Sequence, residues 1–293
     1  MDGWCAMADD PRWPRASQWL QTGSADPRFA VLGVPAHLTS ISATNAHTTP
    51  GAIRAALARY SVWVESEGLD LRDLAVADLG DIADPDSDEG EAATMATVAA
   101  HADIPVLALG GDNSITFAVA RGSRADGLIT LDAHHDLRDG RSNGSPVQRL
   151  IDAGLDGRRV VQIGIADFAN SPDYAARARD HGITVIPRAA LQQRPMADVM
   201  EEALEVVGSG RIHVDLDVDV CDRSVAPACP ASLPGGISAA ELLAAARAAG
   251  RDPRVVSMDL AEIDAQADTA DQRTVRLAAM CVLEVATGVL LRG

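Results

Sequence analysis

The sequence of 293 residues has no lysine, few aromatic residues and a deficit of positive charge. All 25 of its basic residues are arginine, against 42 aspartate and glutamate residues, so the formal net charge is −17. A chain this acidic is repelled by phosphate groups, and we expect neither nucleic acid nor an anionic membrane as its partner. With 47% hydrophobic but only 3% aromatic residues, the core must consist mainly of Ala, Val, Leu and Ile.

Cysteine is also scarce, and its spacing excludes two common kinds of site. Cys5, Cys221, Cys229 and Cys281 lie far apart and form no CxxC pair. This predicts reduced thiols in a cytoplasmic protein, not a disulfide frame or a zinc site. No hydrophobic run approaches the length of a membrane span, and the first 15 residues lack the apolar core of a signal peptide.

One group of acidic residues stands where an apolar strand ends. Asp132, His134 and Asp136 follow the strand-like residues 127–130. In extended chain, side chains two residues apart point the same way, so these three can converge on one point beyond the strand. Carboxylates and an imidazole at this spacing are typical of metal ligands.

A second stretch repeats the arrangement further along the chain. Asp215, Asp217 and Asp219 occupy alternate positions after residues 211–214, and Asp222 follows them. A single acidic strand end is more often a loop or a helix N-cap. Two of them, each too charged to be buried unpaired, instead indicate a shared cation cluster.

Strand-like and helix-like segments alternate eight times, which predicts a mainly parallel sheet covered by crossover helices. The alternation does not decide between a closed (β/α)8 barrel and an open doubly wound sheet. Both folds place functional groups at the carboxyl ends of strands, where the four polar clusters lie, at residues 110–114, 132–138, 217–222 and 259–262. We expect residues 1–27 to form an irregular N-terminal extension and residues 28–293 a single catalytic domain.

The four clusters resemble the motifs of the ureohydrolase superfamily of arginases, agmatinases and formimidoylglutamases. The chain reads Gly-Gly-Asp-Asn-Ser at 110–114, Asp-Ala-His-His-Asp at 132–136, Asp-Leu-Asp-Val-Asp-Val-Cys-Asp-Arg at 215–223 and Asp-Leu-Ala-Glu at 259–262. The family has Gly-Gly-Asp-His-Ser, Asp-Ala-His-x-Asp, Ser-x-Asp-x-Asp-x-x-Asp-Pro and a carboxylate after the last strand. The likeness covers residues 29–290 and implies an arginase-like α/β fold, a three-layer α/β/α architecture with an open, mainly parallel eight-stranded sheet.

The resemblance also implies two Mn²⁺ ions bridged by carboxylates and a hydroxide. Asp132 and Asp217 would bridge the ions, Asp136 would bind one of them, and His134 and Asp219 the other. A cage of oxygen atoms with one imidazole favours Mn²⁺, while Ni²⁺, Zn²⁺ or another divalent ion remains an alternative. Asp222 is expected to orient neighbouring ligands or loop backbone.

Two departures from the family pattern matter for the site. Asn113 replaces a histidine that ligates one metal, and Arg223 replaces a proline. An amide oxygen is a weaker ligand than an imidazole, so the resemblance implies that the ion at Asn113 is weakly held or absent. His47 or His135 could compensate, although His135 points away from His134 if the chain stays extended.

Arg138 and residues 226–230 are similar to formimidoylglutamases in particular. The guanidinium would suit a substrate that carries carboxylates, because arginine binds them in bidentate geometry. The alternative is that Arg138 only neutralises the negative charge of the acidic residues at the site entrance. The preferred substrate is then N-formimidoyl-L-glutamate, hydrolysed to L-glutamate and formamide, which implies a place in histidine catabolism.

The resemblance implies a role for each remaining site residue. Asp136 would hydrogen-bond the metal-bound hydroxide and pass its proton to the departing nitrogen. Glu262 would pair with the cationic amidinium, and Arg138, helped by Asn143 or Ser145, would bind the amino-acid end of the substrate.

Two other functions stay open. One is hydrolysis of a guanidino compound, such as guanidinobutyrate, agmatine, arginine or N-hydroxyarginine, with release of urea or a substituted urea. The other is a metal-poor family member that acts in binding or assembly, which Asn113 makes conceivable. Relatives imply a homo-oligomer, either a trimer or a hexamer.

Overall fold

The apolar runs form eight parallel strands in the computed structural model, which describes residues 10–292. These strands are β1 Phe29–Val34, β4 Val76–Asp81, β5 Val106–Gly110, β6 Gly127–Leu131, β7 Val160–Ile165, β8 Thr184–Pro187, β9 Ile212–Asp217 and β10 Val255–Ala261. A short antiparallel pair, β2 Trp63–Val64 and β3 Leu69–Asp70, stands apart from the sheet.

The sheet order is β4-β1-β5-β10-β9-β6-β7-β8, so the sheet is open, with β4 and β8 at its edges. The open, parallel three-layer fold implied by the family resemblance is therefore confirmed, and the barrel alternative is excluded. The four strands whose ends carry the polar clusters, β5, β10, β9 and β6, are consecutive neighbours at the centre of this order. This adjacency brings clusters that are far apart in sequence to one edge of the sheet.

Helices cover both faces of the sheet. They are α1 Ala16–Gln21, α2 Thr49–Ala56, α3 Asp88–Ala100, α4 Ile115–Gly122, α5 Pro146–Asp152, α6 Pro172–His181, α7 Arg188–Leu191, α8 Met196–Val207, α9 Ala239–Arg251 and α10 Arg273–Leu290. Some of these helices begin or end at residues that are typical of helix caps. Ser238 and Glu241 form a capping box at the start of α9, and Gly182 ends α6 in the left-handed conformation at φ 77°.

The two faces differ in the character of their cores. The face covered by α1, α2 and α7 to α10, here the apolar face, has one continuous hydrophobic cluster. The face covered by α3 to α6, here the polar face, has one apolar cluster over β1 and β5 and another over β6 and β7. Between these two clusters lie buried polar side chains of β9 and β10: His213, Asp215, Ser257 and Asp259.

The segment before β1 contains more structure than an irregular extension. Within α1, Ala16, Trp19 and Leu20 are buried in the cluster of the apolar face. The indole Nε1 of Trp19 donates a hydrogen bond to the carbonyl of Leu74 at 3.0 Å. This bond connects α1 to the residues just before β4. The first nine residues of the expected extension lie outside the described range. Across residues 10–292, no helix combines the length and the apolar character needed to cross a membrane.

Candidate active site

The polar clusters meet at the carboxyl edge of the central strands. Gly111 shows how the sequence allows the first of them to reach this edge: a Cβ on Gly111 would lie 2.0 Å from the carbonyl oxygen of Ala36. Only glycine permits this close approach of two backbone segments. The next residue, Asp112, donates its N–H to the same carbonyl at 2.8 Å, and the chain then turns so that Asn113 lies above the sheet.

Asp132, His134 and Asp219 form a close group of ligand-type side chains. One ligand atom from each lies within 4.8 Å of the other two. The Nδ1 of His134 is 2.6 Å from Asp219 Oδ2 and 3.5 Å from Asp132 Oδ1. The convergence of alternate residues after β6, and its meeting with the acidic stretch after β9, is thus present in the structure.

The backbone holds these carboxylates in place. Asp219 Oδ1 accepts the N–H of Ala133 at 2.9 Å, which joins the loop after β9 to the loop after β6. Asp217 Oδ1 accepts the N–H of Asp219 at 2.7 Å, and Asp132 Oδ1 accepts the N–H of His134 at 2.6 Å. Both loops are therefore closed by their own aspartates, in Asx turns.

Asn113 and Asp136 form a second, adjoining group. The Nδ2 of Asn113 donates to Asp136 Oδ2 at 2.8 Å and lies 3.5 Å from Asp215 Oδ2. Its Oδ1 accepts a hydrogen bond from the hydroxyl of Thr116 at 2.9 Å. The amide oxygen, the atom expected to bind metal, thus faces Thr116, and the NH2 group faces Asp136.

Glu262 closes the site from the end of β10. Its Oε1 accepts the backbone N–H of Asn113 at 2.9 Å and the side-chain Nδ2 of Asn143 at 2.6 Å. Both Glu262 (φ 64°) and Asp136 (φ 53°) have left-handed backbone conformations that are unfavourable for a residue with a Cβ. Such strain persists where the surrounding structure enforces it, and it clusters at functional sites.

Burial perturbs the acid–base properties of these groups. Burial, followed by the charge of Asp219, raises the pKa of Asp132 to about 7. Burial, followed by the charge of Asp112, raises the pKa of Glu262 to about 8. Burial also raises the pKa values of Asp136 and Asp217 well above the ordinary range.

The pKa of the His134 imidazole is also raised, but for a different reason. Burial alone lowers its pKa, but hydrogen bonds and charge from Asp132 and Asp219 overcome this and raise the pKa to about 11. The protein alone therefore gathers more negative charge than it neutralises, and a bound cation would relieve this imbalance.

The donor set fits a divalent cation. Asp132 Oδ2 is buried and has no hydrogen-bond partner within the described residues. An orphaned carboxylate oxygen costs free energy unless a proton, donor or cation meets it. Carboxylate oxygens with one imidazole are ligands that suit Mn²⁺ and similar ions.

A cavity of about 270 Å³ opens beside these ligands. Its lining includes most of the residues predicted for the site, namely His134, Asp136, Arg138, Asn143, Asp217, Asp219 and Glu262. Asn113 and Asp132 lie behind this wall and are 1% exposed. Ser145 does not belong to the lining: its hydroxyl accepts the N–H of Ser142 at 2.8 Å and donates to the carbonyl of Ser142, also at 2.8 Å.

Arg138 extends along one wall of the cavity. Its backbone N–H donates to the carbonyl of Gly144 at 3.0 Å. Its guanidinium carbon lies 5.9 Å from the centre of the Tyr174 ring. A Cβ on Gly144 would lie 2.8 Å from Arg138 Cδ, so a larger residue there would displace the arginine. The guanidinium thus lies near the Tyr174 ring, and the position of the arginine side chain requires glycine at position 144.

The two histidines considered as substitutes lie elsewhere. His47 is exposed and stacks against His37, with ring centroids 4.4 Å apart. His135 is buried, and its Nδ1 lies 2.7 Å from Gln162 Oε1. Neither belongs to the group formed by Asp132, His134 and Asp219.

Some of the lining residues were not anticipated from the sequence. Ile41 comes from the loop after β1, while Asn170, Ser171 and Tyr174 come from the loop after β7 and from the start of α6. They carry no metal-ligand spacing, and only the sheet order brings them to the cavity. The one available signal was their position after strand ends.

Asp222 and Arg223 shape the loop that follows β9. Asp222 accepts the N–H groups of Ser224 at 2.8 Å and of Gly235 at 2.6 Å. Arg223 donates to the carbonyls of Cys229 at 2.8 Å and Pro230 at 3.2 Å. The arginine therefore fixes the loop by hydrogen bonds, where a proline would fix it through its ring.

Comparisons with known proteins agree with these motifs. A family model described as the arginase family matches residues 27–288. The formimidoylglutamase of Bacillus subtilis is 35% identical over 279 residues, covering 89% of this chain and 87% of that protein. The formimidoylglutamase of Halalkalibacterium halodurans is 36% identical over 277 residues, covering 89% and 86%.

Solved structures show the same similarity in three dimensions. The crystal structure of the Bacillus subtilis formimidoylglutamase superposes with a TM-score of 0.89 at 31% identity, covering 99% of this chain and 95% of the other. The Trypanosoma cruzi formiminoglutamase crystallised with Mn²⁺ has a TM-score of 0.88 at 22% identity, covering 96% and 100%. The second likeness concerns the fold alone.

Proposed function

This chain belongs to the arginase family, whose members hydrolyse amidine and guanidino C–N bonds, and we propose that its substrate is N-formimidoyl-L-glutamate. Water adds to the formimidoyl carbon, and the bond from that carbon to the glutamate nitrogen breaks. The products are L-glutamate and formamide. The observation that carries the proposal is one cavity that joins the acidic group at Asp136 and Asp219 to the guanidinium of Arg138.

We infer that two divalent ions, most simply Mn²⁺, complete the site. Asp132, His134, Asp136, Asp217 and Asp219 would hold them. The site beside Asn113 is expected to be the weaker one, because an imidazole is missing there. When bound, such ions lower the pKa of coordinated water and so supply hydroxide near neutral pH. The Trypanosoma cruzi formiminoglutamase, which shares the fold, contains Mn²⁺.

The protein's own residues position the reacting groups. Asp136, strained and lining the cavity, would hydrogen-bond the attacking water and pass a proton to the glutamate nitrogen as it departs. Glu262 has Oε1 occupied by Asn113 and Asn143, which leaves Oε2 to pair with the amidinium. This pairing would hold the formimidoyl carbon close to the water.

Arg138 would bind a carboxylate of the glutamate part of the substrate. Two parallel N–H···O hydrogen bonds give such a pair both strength and direction. Asn143 would act through Glu262, to which it donates. Ser145 would act on the shape of the loop, because its hydroxyl is already paired with Ser142.

A substrate panel tests the proposal. Purified protein loaded with Mn²⁺ is assayed for formamide release from N-formimidoyl-L-glutamate and for urea release from guanidinobutyrate, agmatine, arginine and N-hydroxyarginine. The formimidoyl derivative of propylamine, which lacks both carboxylates, is the matched control. We expect the highest kcat/KM for N-formimidoyl-L-glutamate. Faster release of urea from any guanidino compound would overturn this assignment and leave a guanidino hydrolase.

Cellular location and assembly remain predictions. We propose a cytoplasmic enzyme, consistent with three buried free thiols at Cys221, Cys229 and Cys281. We also propose a trimer or a hexamer, which sedimentation of the purified protein would distinguish from a monomer.

A further inference from the structure

Two amide side chains hold the loop that carries His134, and we refer to Asn170 and Gln162 together as the amide clamp. Gln162 belongs to β7 and is 0% exposed, whereas Asn170 follows β7 and lines the cavity of the site. Both side chains bond to residues 133–135, in the loop after β6. The strand next to β6 therefore supports this loop from below and from the side of the cavity.

Asn170 contacts the backbone on both sides of His134. Its Oδ1 accepts the N–H of His135 at 3.0 Å, and its Nδ2 donates to the carbonyl of Ala133 at 2.9 Å. A backbone N–H can only donate and a carbonyl can only accept, so these partners decide which end of the amide is the oxygen. Asn170 thus fixes the residue before His134 and the residue after it at the same time.

Gln162 holds the residue after His134 a second time. Its Nε2 donates to the carbonyl of His135 at 2.9 Å, and its Oε1 lies 2.7 Å from His135 Nδ1. Because Oε1 can only accept, Nδ1 of His135 carries the proton in this contact. The buried ring of His135 therefore anchors the loop from inside the protein.

The His134 side chain needs such support. It is 30% exposed and borders the cavity, so packing does not enclose the ring. A side chain of a metal site has to be held within about 0.5 Å of its productive position by its surroundings. Where packing leaves part of the ring free, the backbone of the neighbouring residues decides where the imidazole lies.

The position of Gln162 is unusual for a residue that only joins two loops. Val160, two positions earlier on the same face of β7, packs in an apolar cluster. A buried amide at position 162 opposes folding unless all its polar atoms are paired, and both ends of this one are paired with His135. Local departures from the apolar pattern of a strand tend to fall at functional positions.

We propose that the amide clamp is a positioning unit for His134. It fixes the backbone of residues 133–135 so that the imidazole faces Asp132 and Asp219. The inference rests on the proposed function, because His134 is an expected metal ligand of that site. It adds two residues, neither of them a ligand, on which metal affinity depends.

Removal of each amide tests this positioning. Asn170→Ala removes both contacts of Asn170, and Gln162→Met keeps the length of the side chain but not its amide. Partners behind a metal ligand typically contribute about 10- to 100-fold to metal affinity or activity. We expect Mn²⁺ binding, measured by equilibrium dialysis and calorimetry, to weaken by about this factor at one of two ions in both variants.

The kinetics should separate positioning from substrate binding. We expect kcat to fall with Mn²⁺ affinity, while KM for N-formimidoyl-L-glutamate stays near the parent value. The reason is that both ends of the Asn170 amide are already paired with the loop backbone. Parent-like metal binding in either single variant would overturn the proposal.

The combined variant distinguishes one unit from two separate contributions. If both amides act through the same segment, loss of either one frees it, and Asn170→Ala with Gln162→Met should bind Mn²⁺ about as weakly as the weaker single variant. Separate contributions would multiply, and a loss equal to the product of the two single losses would overturn the proposal.

Asn45 supplies a matched control at the same edge of the sheet. Its Nδ2 donates to Asp264 Oδ2 at 3.2 Å and joins the loop after β1 to the segment after β10. Asn45→Ala removes an amide of the same kind and should keep parental Mn²⁺ affinity and kcat. A loss in Asn45→Ala equal to that in Asn170→Ala would overturn the proposal, since any contact between loops at this edge would then suffice.

Thermal unfolding without metal checks that the variants are folded. Asn170 is only partly buried, so Asn170→Ala should fold, and its comparison with Asn45→Ala decides the proposal even if the fully buried Gln162→Met does not fold.

The metal-binding measurements also separate this inference from the proposed function, because they need no substrate. If the parent released formamide from no amidine, the proposed function would fail while the dialysis results still tested the amide clamp. If the parent hydrolysed N-formimidoyl-L-glutamate and Asn170→Ala bound two ions as the parent does, only the amide clamp would fail.

Discussion

The apolar and polar faces of the central sheet are made by the same strands but meet different requirements. In β9, Ile212, Val214 and Leu216 enter the continuous cluster of the apolar face. Residues between them, His213 and Asp215, point into the polar face, and Asp217 continues their row into the cavity. Because side chains alternate along a strand, one segment of six residues can stabilise the fold on one side and build the site on the other.

Burial changes the free energy of folding in opposite directions on the two faces. Full burial of a leucine side chain contributes about 1.5–3 kcal/mol. Burial of a carboxyl group opposes folding unless a proton, donor or cation compensates it. The unfavourable burial of polar groups on one face is tolerable because the apolar face stabilises the same strands. Its free-energy cost must stay small, since the free energy of unfolding of a whole domain is only about 5–15 kcal/mol.

The largest difference should appear between two adjacent residues of β9. Asp217→Ala and Asp132→Ala should each abolish hydrolysis and lower the Mn²⁺ content, because each removes a carboxylate that is expected to hold the metal. Leu216→Ala should instead lower the free energy of unfolding by about 2–5 kcal/mol and leave kcat nearly unchanged. Activity assays, metal analysis and urea unfolding measure all three variants.

Opposite outcomes would contradict this division of roles between the two faces. If Asp217→Ala retained parental turnover and bound metal, the dinuclear arrangement would be wrong. If Leu216→Ala lost kcat as completely as Asp217→Ala at a temperature where it is folded, the two faces would not be separable.

The sequence made much of this separation predictable. The alternation of apolar and acidic residues after position 211 indicated a strand with unlike faces, and the four motifs indicated which strand ends meet. Asp132, His134 and Asp219 are indeed adjacent. The choice of an open sheet came from the family resemblance, since periodicity alone allowed a barrel.

The surroundings of Asp215 could not be predicted in the same way. Asp215 was grouped with Asp217 and Asp219 as a strand-end acid, yet it lies one step deeper and is 0% exposed. Its pairing with Asp259 depends on the register of two strands that are distant in sequence. The orientation of the Asn113 amide likewise depends on contacts from several elements, which no local pattern records.

The next largest effect concerns the far wall of the cavity, above the sheet. Arg138→Ala should raise KM for N-formimidoyl-L-glutamate far more than for the propylamine analogue, because uniform binding lost from the substrate appears in KM. A charge-assisted hydrogen bond is worth about 1.5–3 kcal/mol, which corresponds to roughly ten- to over a hundredfold.

Two variants calibrate this measurement. Arg138→Lys keeps the charge but loses the bidentate geometry and should fall between the parent and Arg138→Ala. Gly144→Ala should raise KM through displacement of Arg138, since the added Cβ would lie 2.8 Å from Arg138 Cδ. Equal effects of Arg138→Ala on the two substrates would leave the arginine as a charge balancer.

A smaller effect should appear in the pH dependence of stability without metal. Burial raises the pKa of Asp132 from 3.8 to about 7 and that of Glu262 from 4.5 to about 8. From pH 3.8 to about 7 at Asp132, and from pH 4.5 to about 8 at Glu262, the folded protein retains a proton that the unfolded chain has lost. The free energy of unfolding therefore falls as pH rises through these two ranges. The raised pKa of His134 acts in the same direction from pH 6.5 to about 11.

Mn²⁺ should oppose this trend, because metal ligands must be deprotonated and binding stabilises the folded state. Melting temperatures with a chelator should fall from pH 5 to pH 8, and the increase on adding Mn²⁺ should be larger at pH 8. Leu216→Ala, on the apolar face, should lower the melting temperature by a similar amount at both pH values. A flat profile for the metal-free parent would contradict the assigned pKa directions.

The smallest and most specific effect concerns Asn113→His, where the polar face meets the site. The parent is expected to retain nearer one Mn²⁺ than two after dialysis, and added Mn²⁺ or Ni²⁺ should raise its activity. An imidazole at this position would add a ligand beside Asp136, and we expect the second ion to bind about tenfold more tightly, or ~1.4 kcal/mol. Dialysis stoichiometry and activation curves of the two proteins measure the change.

The position of Asp215 makes this last expectation more specific. A metal-bound imidazole donates its other N–H to an acceptor that fixes the ring, and Asp215 Oδ2 is already 3.5 Å from the side chain of residue 113. The gain from Asn113→His should therefore disappear when Asp215→Ser is made in the same chain. Thr130→Val, a change opposite Asp215 in the register of β6 and β9, should leave the gain intact. If the gain survived Asp215→Ser, the ring would be held by another group. Two tightly bound ions in the parent, unaffected by Asn113→His, would show that the site needs no imidazole there, because the remaining carboxylates suffice.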